Sequence, residues 1–290
     1  MKRIASLLML AARSTLWKAA GITLASCLTE AGLFLAALSG WQDTVRTAYY
    51  EYSNPMGLEG LLMQYPLSWC FRIGLVLVCA VLAFLGWEGS SRVSYTLRRL
   101  SVGHRALTLL WAGYGFFCLL FFWAAHLGTL LALCAAALPR LAPEFSGPQA
   151  LFLACYRDPY LHSLLPLDDC LLWVRNLSMC AALGTAAASF SFQRRMGRRA
   201  FAILPLAALS ALCFPLPMGS FEFGGPAEFL RPYLYDGIFY SADGLPSVLG
   251  PVLLFVSLCA LAASLCQILR RDPYEKVRNH PRPPLPPAAL

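Results

Sequence analysis

Charge is what this sequence has least of. Asp, Glu, Lys and Arg make up 13% of its 290 residues, while 58% are hydrophobic and the mean hydropathy is +0.60. A soluble globular domain carries about 25% charged residues. A chain this poor in charge cannot cover itself with polar surface, so an ordinary soluble fold is excluded and lipid is the expected solvent. Histidine is nearly as scarce, at four residues. His104, His126, His162 and His280 form no H-E-x-x-H, which excludes that class of zinc protease. Eleven cysteines are present, yet no two stand as C-x-x-C, and most fall in apolar segments where they act as small hydrophobes. No metal centre and no cofactor are expected. G-x-S-x-G and G-x-x-x-x-G-K-[ST] are also missing, so neither a nucleophile elbow nor a phosphate-binding loop is encoded. The chain is therefore read as a non-enzyme, and no internal repeat is found.

Long apolar runs are what the sequence does have. A bilayer core about 30 Å thick takes roughly 20 apolar residues per helical span. Six runs satisfy this: about 17–41, 67–87, 107–138, 169–192, 200–218 and 248–269. The fold class expected is therefore all-α, a polytopic membrane protein of six transmembrane helices. Residues 1–271 form the transmembrane domain and 272–290 a proline-rich cytoplasmic tail, extended or disordered. Before the first run, residues 3–16 mix Arg and apolar residues, as an interfacial amphipathic helix does. Between the third and fourth spans, FLACYRDPYLHSLLPLDD is amphipathic and aromatic and predicts short helices on the outer face. Within that region a Cys155–Cys170 disulfide is left open.

The net charge of +8 belongs to topology rather than to nucleic acid. Alternate connections hold seventeen of the Lys and Arg residues, and the intervening ones hold four. The positive-inside rule then places both ends in the cytoplasm. Trp17, Trp41, Trp69 and Trp87 fall at the expected water boundaries.

Ionisable residues within spans are functional candidates by default, because a charge at membrane depth is costly. Glu30 lies near the middle of the first span, His126 in the outer half of the third, and Arg72 and Arg175 about two turns from the outer ends of theirs. Two arrangements are open. Glu30 can pair with Arg175 or Arg72 inside the bundle. Alternatively, both arginines snorkel to the outer interface and Glu30 bonds a neighbouring helix. His162 lies near Asp158, Asp168 and Asp169 in sequence, a grouping read as a solvated polar loop. In the fourth span, AALGTAAAS suits close helix packing within the chain.

The cytoplasmic loop after the second span, EGSSRVSYTLRRLSVGHRALTLLW, alternates apolar and basic residues at helical spacing. Such a helix can rest on anionic lipid or dock into a groove of a cytosolic partner. Its stretch Tyr95, Thr96, Leu97, Arg98, Arg99, Leu100 resembles the loop before the third helix in permease subunits of bacterial type-2 ABC exporters. In particular it is similar to small permease-like proteins of Gram-positive bacteria, and Phe152 to Asp169 is similar to a segment of the same group. The resemblance extends to the layout of interfacial helix, six spans and both ends inside. It implies a dimer of six-span units, a homodimer or a heterodimer with a second permease, each unit engaging a separate cytosolic ABC ATPase. It also implies that Tyr95, Leu97, Arg98, Arg99, Leu100, His104 and Arg105 pass nucleotide-driven motion to the spans in a bacterial plasma membrane. The alternative expectation is a non-transporting accessory or sensor protein that binds a partner.

Overall fold

Residues 2–20 contain no glycine and no proline and are rich in Ala and Leu, the strongest helix formers. In the computed structural model they do not break away from the span that follows. One helix, α1, runs from Lys2 to Ala48, so the expected interfacial segment 3–16 and the first span are continuous. At 1.5 Å per residue it is about 70 Å long, more than twice a hydrocarbon core.

The structure describes residues 2–48, 57–63, 66–84, 104–141, 147, 149–167, 169–195, 203–214 and 245–269. Within them the remaining helices are α2 (Leu58–Met63), α3 (Ser68–Ala83), α4 (His104–Ala137), α5 (Ala150–Arg157), α6 (Pro159–Leu164), α7 (Cys170–Arg195), α8 (Ile203–Cys213) and α9 (Leu245–Leu269). The described residues are all-helical, without a strand. Four stretches are long and apolar enough to cross a membrane: Ala11–Gly40, Arg105–Arg140, Cys170–Arg194 and Gly250–Leu269. The apolar helices α3 and α8, where the second and fifth spans are expected, are shorter. The short helices expected outside the third span are α5 and α6.

Burial on α1 follows one stripe. Ala11, Thr15, Ala19, Thr23, Cys27, Glu30, Phe34 and Leu38 are buried, spaced three or four residues apart as one helical face requires. Trp17, Leu24, Leu28 and Leu35 lie off that stripe and are exposed, as are Phe117 and Phe121 on α4 and Phe255 on α9. Bare apolar faces of this kind suit hydrocarbon. The stripe on α1 packs against α3 and α4.

The most enclosed helix is α7, which packs along α4 on one side and α9 on the other. Its segment Ala182–Ser189 is buried throughout. The small residues here pack within the chain, as the sequence predicts. A Cβ on Gly184 would stand 2.7 Å from the Phe116 backbone nitrogen and 3.0 Å from the Ala112 carbonyl oxygen. Gly115 opposes it on α4, where a Cβ would lie 3.2 Å from the Gly184 Cα. Absence of side chains at both positions lets the two backbones touch. At the far end of α7, Gln193 donates to Gln267 Oε1 of α9 at 2.7 Å. All eleven cysteines are free thiols; Cys155 is buried and Cys170 exposed.

Candidate functional site

The site begins with a helix cap in the segment between α4 and α7. Asp158 is extended (φ −79°, ψ 118°), Pro159 follows at the first helical position, and Asp158 Oδ1 accepts from the Leu161 amide at 2.7 Å. An acceptor at the N-cap with proline after it starts a helix with its entry angle fixed. That start turns Tyr160 inward, where it is 7% exposed. The other end of α6 leaves carbonyl groups that need donors. Asn176 of α7 donates to the Ser163 carbonyl, Trp123 of α4 to that of Leu164, and Trp173 of α7 to that of Pro166. The α5–α6 segment is thereby fastened to two long helices.

Tyr160 then closes a network over α1 and α4. Its hydroxyl donates to Glu30 Oε1 at 2.9 Å. Glu30 Oε2 lies 2.7 Å from His126 Nδ1, and both residues are 0% exposed. On the far side of the ring, Ser26 Oγ lies 3.0 Å from His126 Nε2. Ser26 gives its own proton to the Thr23 carbonyl at 2.9 Å. A hydroxyl has one proton to give, so towards His126 it accepts, and Nε2 carries N–H. One further proton then lies between Nδ1 and Oε2, and the assembly is neutral overall. Burial, followed by the nearby Glu30 carboxylate, holds the Tyr160 phenol well above its ordinary pKa, so it remains a donor.

Aromatic rings enclose the pair. Phe71 of α3 meets the His126 ring edge-on at 5.3 Å and stacks on Phe214 at 4.3 Å. Phe122, one turn before His126 on α4, lies 4.6 Å from it. Gly74 makes this possible, since a Cβ there would stand 2.9 Å from the Phe122 ring and 3.1 Å from Ser26 Oγ. The sulfur of Cys27 joins the cluster from the same face of α1. The ligand-type atoms of Cys27, Glu30 and His126 all lie within 4.8 Å of one another. Sequence reading marks Glu30 and His126 separately and does not mark Tyr160, Ser26 or Cys27. The available signals were the i, i+3 spacing of Cys27 and Glu30 and the Asp-Pro cap ahead of Tyr160.

The arginines behave differently from each other and neither pairs with Glu30. Arg175 is 0% exposed and does not reach the interface. Its Nη2 donates to the Phe214 carbonyl at 2.9 Å, and Nε and Nη2 both reach Asn176 Oδ1 at 3.2 Å. The cause lies in α8. The helix ends at Cys213, and the sequence after Phe214 carries Pro215 and Pro217, which lack a backbone N–H. Its terminal carbonyl is left in apolar surroundings, and a guanidinium at a helix C-terminus satisfies both the lone pair and the dipole. Arg175→Met is expected to destabilise the protein by about 2 kcal/mol by leaving two acceptors unsatisfied. Arg175→Lys should recover part of this, read as thermal midpoints in detergent. Equal midpoints for Arg175→Met and the parent would remove the capping role. Arg72 is half-buried and lies over the Trp69 ring at 5.0 Å.

Of the expected coupling residues, Tyr95, Leu97, Arg98, Arg99 and Leu100 lie outside the described residues. His104 opens α4, and Arg105 follows it with a half-buried side chain. Comparison with protein-family models, with curated proteins and with solved structures finds no match to this chain. The fold and site define an all-helical protein whose apolar helices are compatible with multi-pass membrane insertion, built around a buried Glu–His–Tyr network.

Proposed function

We propose that this chain is the membrane-spanning permease subunit of a transporter driven by a separate cytosolic ABC ATPase, acting as an exporter in a bacterial plasma membrane. The observation that carries transport over passive anchoring is the Glu30–His126–Tyr160 network. Ionisable groups deep in an apolar bundle are costly to keep, and in membrane proteins they mark ion or substrate paths. Three segments meet there: α1, α4 and α6. The six-span reading adds α3 and α8 to the four longer helices, with both termini cytoplasmic by the distribution of Lys and Arg. The energy source is argued from sequence. The chain has no phosphate-binding loop, and its basic segment after α3 resembles the loop with which type-2 exporters engage their ATPase. On this reading Arg98 and Arg99 dock the ATPase, and Arg105 links that loop to α4. The functional unit contains two such permeases.

Affinity purification in mild detergent tests the reading. An ABC ATPase should accompany the chain, and the double variant Arg98→Glu/Arg99→Glu should reduce its recovery about tenfold, a loss of roughly 1.4 kcal/mol. Undiminished recovery would falsify the docking role. A second reading, a membrane accessory or sensor protein, is favoured by the aromatic filling of the bundle around His126 by Phe71, Phe122 and Phe214. Purification with a partner other than an ATPase would support it.

A further inference from the structure

We infer that Cys27, Glu30 and His126 form a binding site for a divalent transition-metal ion of the zinc or cobalt type. This rests on the same network as the transport reading, and deepens it by naming a ligand class. Cys27 is 8% exposed, and Glu30 and His126 are fully buried. Their donor atoms, a sulfur, a carboxylate oxygen and an imidazole nitrogen, lie within 4.8 Å of one another. Ligand bonds of about 2.0–2.3 Å at tetrahedral angles place neighbouring donors roughly 3.3–3.7 Å apart. Side-chain rotations of under about 1.5 Å therefore convert the cluster into a coordination set.

The chemistry of the donors selects the ion. Magnesium and calcium take oxygen ligands, and one carboxylate among a thiol and an imidazole does not serve them. Sulfur, nitrogen and oxygen together suit zinc and cobalt. Supporting contacts already stand behind two of the ligands. Tyr160 donates to Glu30 Oε1, and Ser26 Oγ lies 3.0 Å from His126 Nε2. Such outer contacts fix ligand orientation in metal sites. Three protein ligands leave the fourth tetrahedral position open, as in sites that exchange a ligand rather than closed structural ones.

The test uses cobalt(II) as the probe. The purified full-length chain in detergent, stripped with chelator and loaded with cobalt, should retain one ion per chain through gel filtration. It should show tetrahedral d–d bands and a thiolate-to-cobalt charge-transfer band. Cys27→Ser changes one atom in a packed site. It should keep the elution profile, lose the charge-transfer band and weaken binding about tenfold or more. Cys79→Ser, at a buried thiol outside the cluster, should leave the spectrum intact. Retention of no cobalt by the wild-type chain, or a charge-transfer band unchanged in Cys27→Ser, overturns the site. The Arg98→Glu/Arg99→Glu variant should bind cobalt normally, so failure of ATPase docking and failure of the metal site are separate results.

Discussion

His126→Leu is expected to destabilise the protein by about 3–5 kcal/mol, because it leaves a buried carboxyl group without its principal partner. Glu30 lies 2.7 Å from His126 Nδ1 and is fully buried, so no rotation of its short side chain reaches water. The hydrogen bond alone does not account for this magnitude, since polar contacts between membrane helices average only about 0.6 kcal/mol. The larger part is the cost of the orphaned group. Tyr160→Phe should therefore lower stability by only about 1 kcal/mol, because Glu30 retains His126. The double variant Glu30→Leu/His126→Leu should be more stable than His126→Leu alone, since the buried carboxyl group is gone and only the Tyr160 hydroxyl loses its acceptor. Thermal midpoints of the parent, Glu30→Leu, His126→Leu, Tyr160→Phe and the double variant in one detergent read this order. A double variant whose loss is the plain sum of its two single losses would mean the residues are not energetically coupled.

Gly184→Val should have an effect of similar size for a different reason. The first added carbon would lie 2.7 Å from a backbone nitrogen of α4 and 3.0 Å from a backbone oxygen, and neither can swing aside as a side chain does. Relief requires α4 and α7 to separate along the seam that joins them. Overpacking of a side-chain core costs about 1–3 kcal/mol. A clash between two helix backbones should exceed that range, with loss of the monodisperse peak in gel filtration. Gly113→Ala is the matched control. It sits on the same helix with nothing within 4 Å of the new carbon. Replacing an unconstrained helical glycine gains about 0.5–1 kcal/mol, so this variant should be unchanged or slightly more stable. Equal behaviour of the two variants would show that the α4–α7 approach is not as close as described.

The helices were legible in the sequence because their cause is local. Four of the six apolar runs coincide with helices long enough to cross a membrane and the other two with shorter apolar helices, and the Asp-Pro cap before Tyr160 is a sequence signal in its own right. A separate interfacial helix is not marked off in the structure, because amphipathic character over residues 3–16 does not by itself end a helix. Without a Gly or Pro before Gly21, α1 continues. Composition also identified Glu30 and His126 as costly and therefore notable.

What the sequence could not rank was partnership. Glu30 and His126 are 96 positions apart, and Tyr160 is 130 from Glu30. An arginine is the stronger partner for a carboxylate in isolation, so pairing Glu30 with Arg72 or Arg175 was reasonable on charge alone. The tertiary structure decided otherwise because Arg175 is already committed to the carbonyl that ends α8. Charge scarcity and the placement of apolar runs thus settled by themselves that this is a chain of long apolar helices. Which polar groups meet between those helices was set by packing. The bare Gly74 beside Phe122 and Ser26 and the inward-turned cap of α6 let α1, α4 and α6 meet at one point, and contacts of that kind depend on three-dimensional proximity that no local pattern records.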